Sequence, residues 1–220
     1  MHRLCRIAGL LGFVVLLGGF TSSDITLKSI SVAGPSDGAT IPAAIGRPDG
    51  AGPFPAAVIV PTCLGLSVTM REDWARAFAA AGYVTIAVEH NKPRGMKHCM
   101  SRGPKGRPWA GWIGDAYAAL DHLSKMPEVD INRVALVGFS MGGILVGKYM
   151  AEDLKTPAGH RFKAMASVYA HCNGDGRPGG DPVEGTPVVP WLVLNGGNER
   201  IEMKGPCGAR SRAAPASPWN

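Results

Sequence analysis

Ser140 stands in the run Gly138-Phe139-Ser140-Met141-Gly142-Gly143, where an apolar stretch meets a glycine-rich one. A serine hydroxyl becomes a nucleophile when a turn exposes it, a base takes its proton and donors meet the oxyanion that forms. The Gly-x-Ser-x-Gly spacing addresses the first need, because small neighbours permit a strained strand-to-helix turn. The helix N-terminus behind such a turn favours developing negative charge, and the Met141 N–H is the residue-after-nucleophile donor. Other uses of a glycine-rich turn fit less well. Neither the Gly-x-Gly-x-x-Gly spacing of a dinucleotide loop nor a Gly-x-x-x-x-Gly-Lys-Ser/Thr phosphate cradle is present. A purely structural turn is the remaining alternative.

Residues 129–143, Val-Asp-Ile-Asn-Arg-Val-Ala-Leu-Val-Gly-Phe-Ser-Met-Gly-Gly, resemble the nucleophile-elbow segment of α/β-hydrolases, most closely the dienelactone hydrolase-like group. Residues 58–66, Val-Ile-Val-Pro-Thr-Cys-Leu-Gly-Leu, are similar to that group's oxyanion loop, with Pro61-Thr62 where His-Gly is usual. The resemblance covers roughly residues 29–199. It implies acyl transfer on a small-molecule ester or lactone, with no cofactor. By position it also implies that the backbone N–H of Cys63 is the second oxyanion donor, a group worth about 3 kcal/mol when well placed. Founding members carry Cys in the turn where this chain carries Ser140, which points to a generic esterase rather than the dienelactone reaction.

Hydrolases of this kind order their triad as nucleophile, acid, histidine. The acid is expected after the apolar run 188–194, where Asn195-Gly196-Gly197-Asn198-Glu199 follows. Glu199 is therefore the candidate that orients a base, with Asp181 in reserve and a solvated loop charge as the competing reading. The histidine is harder to place. His2, His90, His98, His122, His160 and His171 all precede Glu199. His171 ends an apolar run, breaks the usual order and is favoured as a structural residue. After Met203 the sequence loses apolar periodicity, and a further strand–helix unit bearing a histidine needs about 30 residues. The expectation is a truncated or frame-shifted C-terminal part, with a catalytically impaired or binding-only domain as the alternative to an active enzyme.

These groups need elements to hold them. Residues 25–32 alternate as a strand, and 39–46 pair with it after Pro35-Ser36-Asp37-Gly38. The continuous apolar run at 56–60 reads as a strand buried on both faces, and 83–88, 133–139, 163–169 and 188–194 read as further buried strands. Between them, 70–81 is expected as an amphipathic helix burying Trp74, Ala77, Phe78 and Ala81 and closed by Gly82. Helices at 109–126, carrying Trp112, Ala116, Ala119, Leu120 and Leu123, and at 142–152 complete the alternation. Strands alternating with helices predict a mostly parallel sheet covered by helices on both faces, the α/β-hydrolase fold.

Composition agrees. Of 220 residues 45% are hydrophobic and 18% charged, which suits one packed core and excludes a disordered chain. The 30 Gly and 18 Pro require many turns between short elements. Residues 1–23 read as a secretory signal, with Arg3 and Arg6, an apolar run at 7–20 and Thr21-Ser22-Ser23. That leaves 24–220 as a single exported domain, secreted or periplasmic, with no stable membrane insertion. Removing the two arginines takes the net charge from +6 to about +4.

The remaining basic residues concentrate at Lys92, Arg94, Lys97, Arg102, Lys105 and Arg107, read as a solvated loop. No basic face with interleaved aromatics is visible, so no nucleic-acid partner is expected. Cys63, Cys99, Cys172 and Cys207 allow three disulfide pairings, which sequence leaves open. The pairs His98-Cys99 and His171-Cys172 invite a zinc reading, but no closed ligand spacing supports it and no metal is expected.

Overall fold

A computed structural model describes residues 20–101, 108–170 and 185–195. Seven strands form one sheet in the order β1-β2-β4-β3-β5-β6-β7. They are β1 (Phe20–Lys28), β2 (Thr40–Pro48), β3 (Phe54–Val60), β4 (Val84–Val88), β5 (Val129–Phe139), β6 (Ala164–Val168) and β7 (Trp191–Leu194). From β4 to β7 every neighbouring pair is parallel, while β2 runs antiparallel to both β1 and β4. This is the expected α/β-hydrolase architecture, with an antiparallel ribbon at one edge.

The parallel centre follows from its residues. Ala56, Ala57, Val58, Ile59 and Val60 of β3 are all buried, as both faces of this strand are covered. One face, with Val58, Val60, Ile86, Val88 and Leu136, packs under α2 (Trp109–Leu123) and α3 (Met141–Tyr149). The other, with Ala57, Ile59, Ala87, Val137 and Phe139, packs under a smaller cluster that includes Met70 and Phe78. Trp112, Ala116, Ala119, Leu120 and Leu123 are all buried along α2 as the spacing predicts.

The helix expected over 70–81 departs from its pattern. It begins as a π-helical turn, Thr69–Trp74, and continues as α1 (Ala75–Ala80). Met70, Ala75 and Ala79 are its buried residues, whereas Ala77 and Ala81 are exposed and Trp74 remains 38% exposed. A π turn adds a residue to the local period, so the buried positions step by five and then by four. That insertion takes Ala77 and Ala81 off the sheet, while Phe78 stays packed on the smaller cluster and Trp74 on Phe139. Gly82 closes the segment with φ 79°, as expected.

At the N-terminal edge, β1 begins at Phe20, and Phe20–Ser23 pair with 45–48 of β2. The last four positions of the stretch read as a leader are thus strand residues here. Among the described residues no helix is long and apolar enough to cross a membrane.

Candidate active site

β5 delivers the chain to Ser140 at the carboxyl edge of the parallel strands, and α3 starts at the next residue. Ser140 has φ 51° and ψ −111°, a conformation that non-glycine residues rarely adopt. Such strain persists only where surrounding contacts enforce it. The Ser140 N–H donates to the Val168 carbonyl at 2.8 Å, and its carbonyl accepts from Ile144 N–H at 3.0 Å. A buried chain supports the same turn from the side: Trp191 Nε1 donates to Ser167 Oγ at 3.0 Å, which donates to the Gly143 carbonyl at 2.8 Å.

Gly142 explains how close the helix start comes to the neighbouring strand. A Cβ there would lie 2.3 Å from the Val60 carbonyl oxygen and 2.6 Å from that of Pro61. The residue after Met141 therefore presses on the root of the loop that carries Cys63. Met141 is the first helical residue, and the N–H groups of a first turn have no partner within the helix. Ser140, Met141 and the Cys63 loop are brought to one corner of the sheet edge.

The Cys63 loop has a structure of its own. The Thr62 carbonyl accepts from Gly65 N–H at 3.0 Å, and Thr62 Oγ1 accepts from Leu64 N–H at 3.3 Å. Leu66 N–H donates to Glu89 Oε2 at 3.0 Å. Gly65 sits directly on that carboxylate, with φ 84° and space that a Cβ would fill to 2.8 Å from Glu89 Oε2. The Cys63 carbonyl accepts from Cys99 N–H at 2.7 Å and from Asn91 Nδ2 at 2.9 Å. Cys63 and Cys99 are joined by a disulfide, which selects one of the pairings left open and removes Cys99 from the zinc reading.

The segment after β4 is what grips this loop. Glu89 Oε1 accepts from the N–H groups of Asn91 and Lys92 at 2.9 and 3.2 Å. Arg94, read from sequence as part of a solvated basic loop, is buried instead, its side chain 7% exposed. Its guanidinium forks onto Asp115 at 2.8 and 3.0 Å and onto Asp37 at 2.7 and 3.1 Å, and Nη1 also donates to the His90 carbonyl at 2.8 Å.

Burial opposes the Arg94 charge, but hydrogen bonds and attraction from the two carboxylates outweigh it and hold its pKa above the ordinary value. For Asp115 burial wins over the Arg94 contact and lifts the carboxyl to about 6. His90 is fully buried and stacks on Trp112 at 4.9 Å. Burial, and the Arg94 charge second, push its pKa down to about 3, so the imidazole is neutral.

Glu199, Asp181, His171, Cys172 and Cys207 lie outside the described residues, as do Arg102, Lys105 and Arg107. Glu89, Asn91 and Arg94 were not singled out for a role at the site. Their signal is the polar run Glu89-His90-Asn91-Lys92-Pro93-Arg94 directly after the mostly apolar stretch 84–88, where a sheet edge would bury it.

The dienelactone hydrolase family profile matches residues 41–173, more than half of the chain. No curated protein matches it. Among solved structures, a Klebsiella pneumoniae protein assigned to the dienelactone hydrolases superposes with TM-score 0.68 at 22% identity, over 90% of this chain and 83% of that one. P91, a dienelactone hydrolase-like promiscuous phosphotriesterase from metagenomic libraries, gives TM-score 0.57 at 20% identity, over 87% and 77%. The esterase Est22 gives TM-score 0.52 at 17% identity over 70% of this chain, which spans 45% of that protein. These likenesses carry the fold, and the profile carries the family. The chain belongs to the dienelactone hydrolase family, a hydrolase lineage of the α/β-hydrolase fold.

Proposed function

We propose that this chain is an exported serine hydrolase that cleaves an ester or lactone by acyl transfer through Ser140. The observation that carries the reading is the left-handed backbone of Ser140 at the junction of β5 and α3. A serine held in that conformation presents its hydroxyl above the sheet edge.

Ser140 Oγ attacks the carbonyl carbon and passes its proton to a base. The tetrahedral oxyanion is met by the N–H groups of Met141 and Cys63, and its collapse expels the alcohol. Water then cleaves the acyl-enzyme by the same steps. Glu199 orients the base. His171 is the in-chain candidate for it, three residues beyond Val168, whose carbonyl holds the Ser140 N–H. His90 is unsuited, since it is fully buried against Trp112. Export is supported by the leader-like N-terminus and by the Cys63–Cys99 disulfide, which persists in oxidising compartments. The substrate is a small molecule, and no nucleic-acid partner is proposed.

A second reading is a hydrolase-like domain of the same family that binds without turnover. Labelling with a fluorophosphonate probe separates the two. Labelling of the wild type that is lost in Ser140→Ala establishes an activated serine. A soluble, folded wild type that does not label overturns the activated serine and leaves a hydrolase by descent only.

A further inference from the structure

The loop amides of Leu64, Gly65 and Leu66 are committed to Thr62 Oγ1, the Thr62 carbonyl and Glu89 Oε2. The Thr62 carbonyl and the Cys63 N–H belong to one peptide plane. In a trans peptide those two groups point in opposite directions. Holding the Thr62 oxygen inside the loop, on Gly65 N–H, therefore turns the Cys63 N–H outward. The far side of Cys63 is held just as firmly, since its carbonyl takes two donors from the segment after β4 and its side chain is bonded to Cys99.

We propose that the Cys63–Cys99 disulfide and the Asn91 carboxamide are positioning groups that aim the Cys63 N–H at the oxyanion. This rests on the hydrolase reading above. The two cysteines lie 36 positions apart in sequence and 4.6 Å apart between Cα atoms, on the loops after β3 and β4. Those loops come together beside the α3 N-terminus, where Gly142 touches Val60 and Pro61. A crosslink at this place acts on one peptide plane, whereas the sheet beneath is already held by its own ladder. Loss of the crosslink lets the plane rotate and weakens a donor that matters in the transition state more than in the ground state.

The full chain is compared as oxidised wild type and as the Cys63→Ser/Cys99→Ser double variant, both of which keep the residue-63 amide. Readouts are kcat and KM on a p-nitrophenyl ester and hydrogen–deuterium exchange along the backbone. The expected result is a kcat about ten- to hundredfold lower with KM changed less than twofold. Exchange rises over residues 61–66 and stays unchanged over 56–60 and 134–139.

Treating the wild type with dithiothreitol moves two electrons and two protons to the cystine, giving two thiols here and a cyclic disulfide on the reagent. The same kcat loss is expected, reversed on reoxidation. Asn91→Ala, which leaves both cysteines in place, lowers kcat several-fold and covers the case in which the double variant does not fold. Unchanged kcat in an active protein overturns the proposal, and so does a uniform rise in exchange across the sheet. Should the wild type neither turn over nor label, the hydrolase reading falls. The exchange data then decide the positioning role alone, and a loop that stays protected without the disulfide ends it.

Discussion

Two pieces of backbone converge on one corner of this sheet, and they are held by different means. The Ser140 turn is held by the sheet: β5 ends, α3 begins, Gly142 packs against the end of β3, and β6 supplies the Val168 carbonyl and Ser167. Beyond its own Thr62 turn, the Cys63 loop is held by another loop. Its contacts come from Glu89, Asn91 and Cys99, 23 to 36 positions away in sequence. A strained turn seated on the sheet is enforced by the same strands that form the ladder. The loop is only as well placed as the segment after β4 that grips it.

Arg94 offers the strongest way to break that contrast. It anchors the gripping segment through Asp115, Asp37 and the His90 carbonyl. Arg94→Ala leaves the Asp115 carboxyl buried without its partner, a change that costs about 3–5 kcal/mol. Urea titration should show that loss, with increased exchange centred on residues 61–66 and 89–99. Exchange spread evenly over β5 and α3 instead would mean that the two regions are not separately held.

Gly142→Ala tests the point where they touch. Its Cβ meets backbone oxygen on two sides, and the expected cost is about 3 kcal/mol by denaturant unfolding. Fluorophosphonate labelling should fall with it, because both the Ser140 turn and the root of the Cys63 loop must move. A stability loss smaller than for Arg94→Ala with a larger labelling loss would sharpen the distinction between support from the sheet and support from the loop after β4.

The finest probe is His90. The unfolded chain takes a proton near the ordinary histidine value of 6.5, whereas the folded chain resists until about 3. Stability from this group is therefore full above pH 6.5 and falls as pH drops toward 3, by about 1.4 kcal/mol per pH unit. His90→Phe keeps the stack on Trp112 and removes both ring nitrogens, which have no partner among the described residues. Chemical denaturation at pH 6.5 and pH 5 should show wild type losing about 2 kcal/mol more than the variant. Equal losses in the two proteins would mean that His90 is hydrated in the fold.

How much of this was legible beforehand follows the same division. Residues 56–60 and 134–139 announce buried parallel strands because both of their faces must be apolar, and the structure buries 56–60 and 136–139 throughout. Trp112 to Leu123 announces its helix by spacing alone. The stripe through Trp74 survived only at Trp74 and Phe78, because one π turn shifts the phase and no propensity marks its position. Arg94 looked solvated among its basic neighbours. A partner such as Asp115, 21 positions away, leaves no trace in the local run.

Composition and pattern by themselves determined that the chain is α/β, with a serine turn between a buried strand and the following helix. Both properties arise from residues within a few positions of one another. Tertiary structure alone decided that Cys63 pairs with Cys99, that Glu89 and Asn91 seat the loop over the sheet edge, and that Arg94 is a buried clamp. Those are contacts between distant segments, and they come into being only once the sheet order β4-β3-β5 has placed three strand ends side by side.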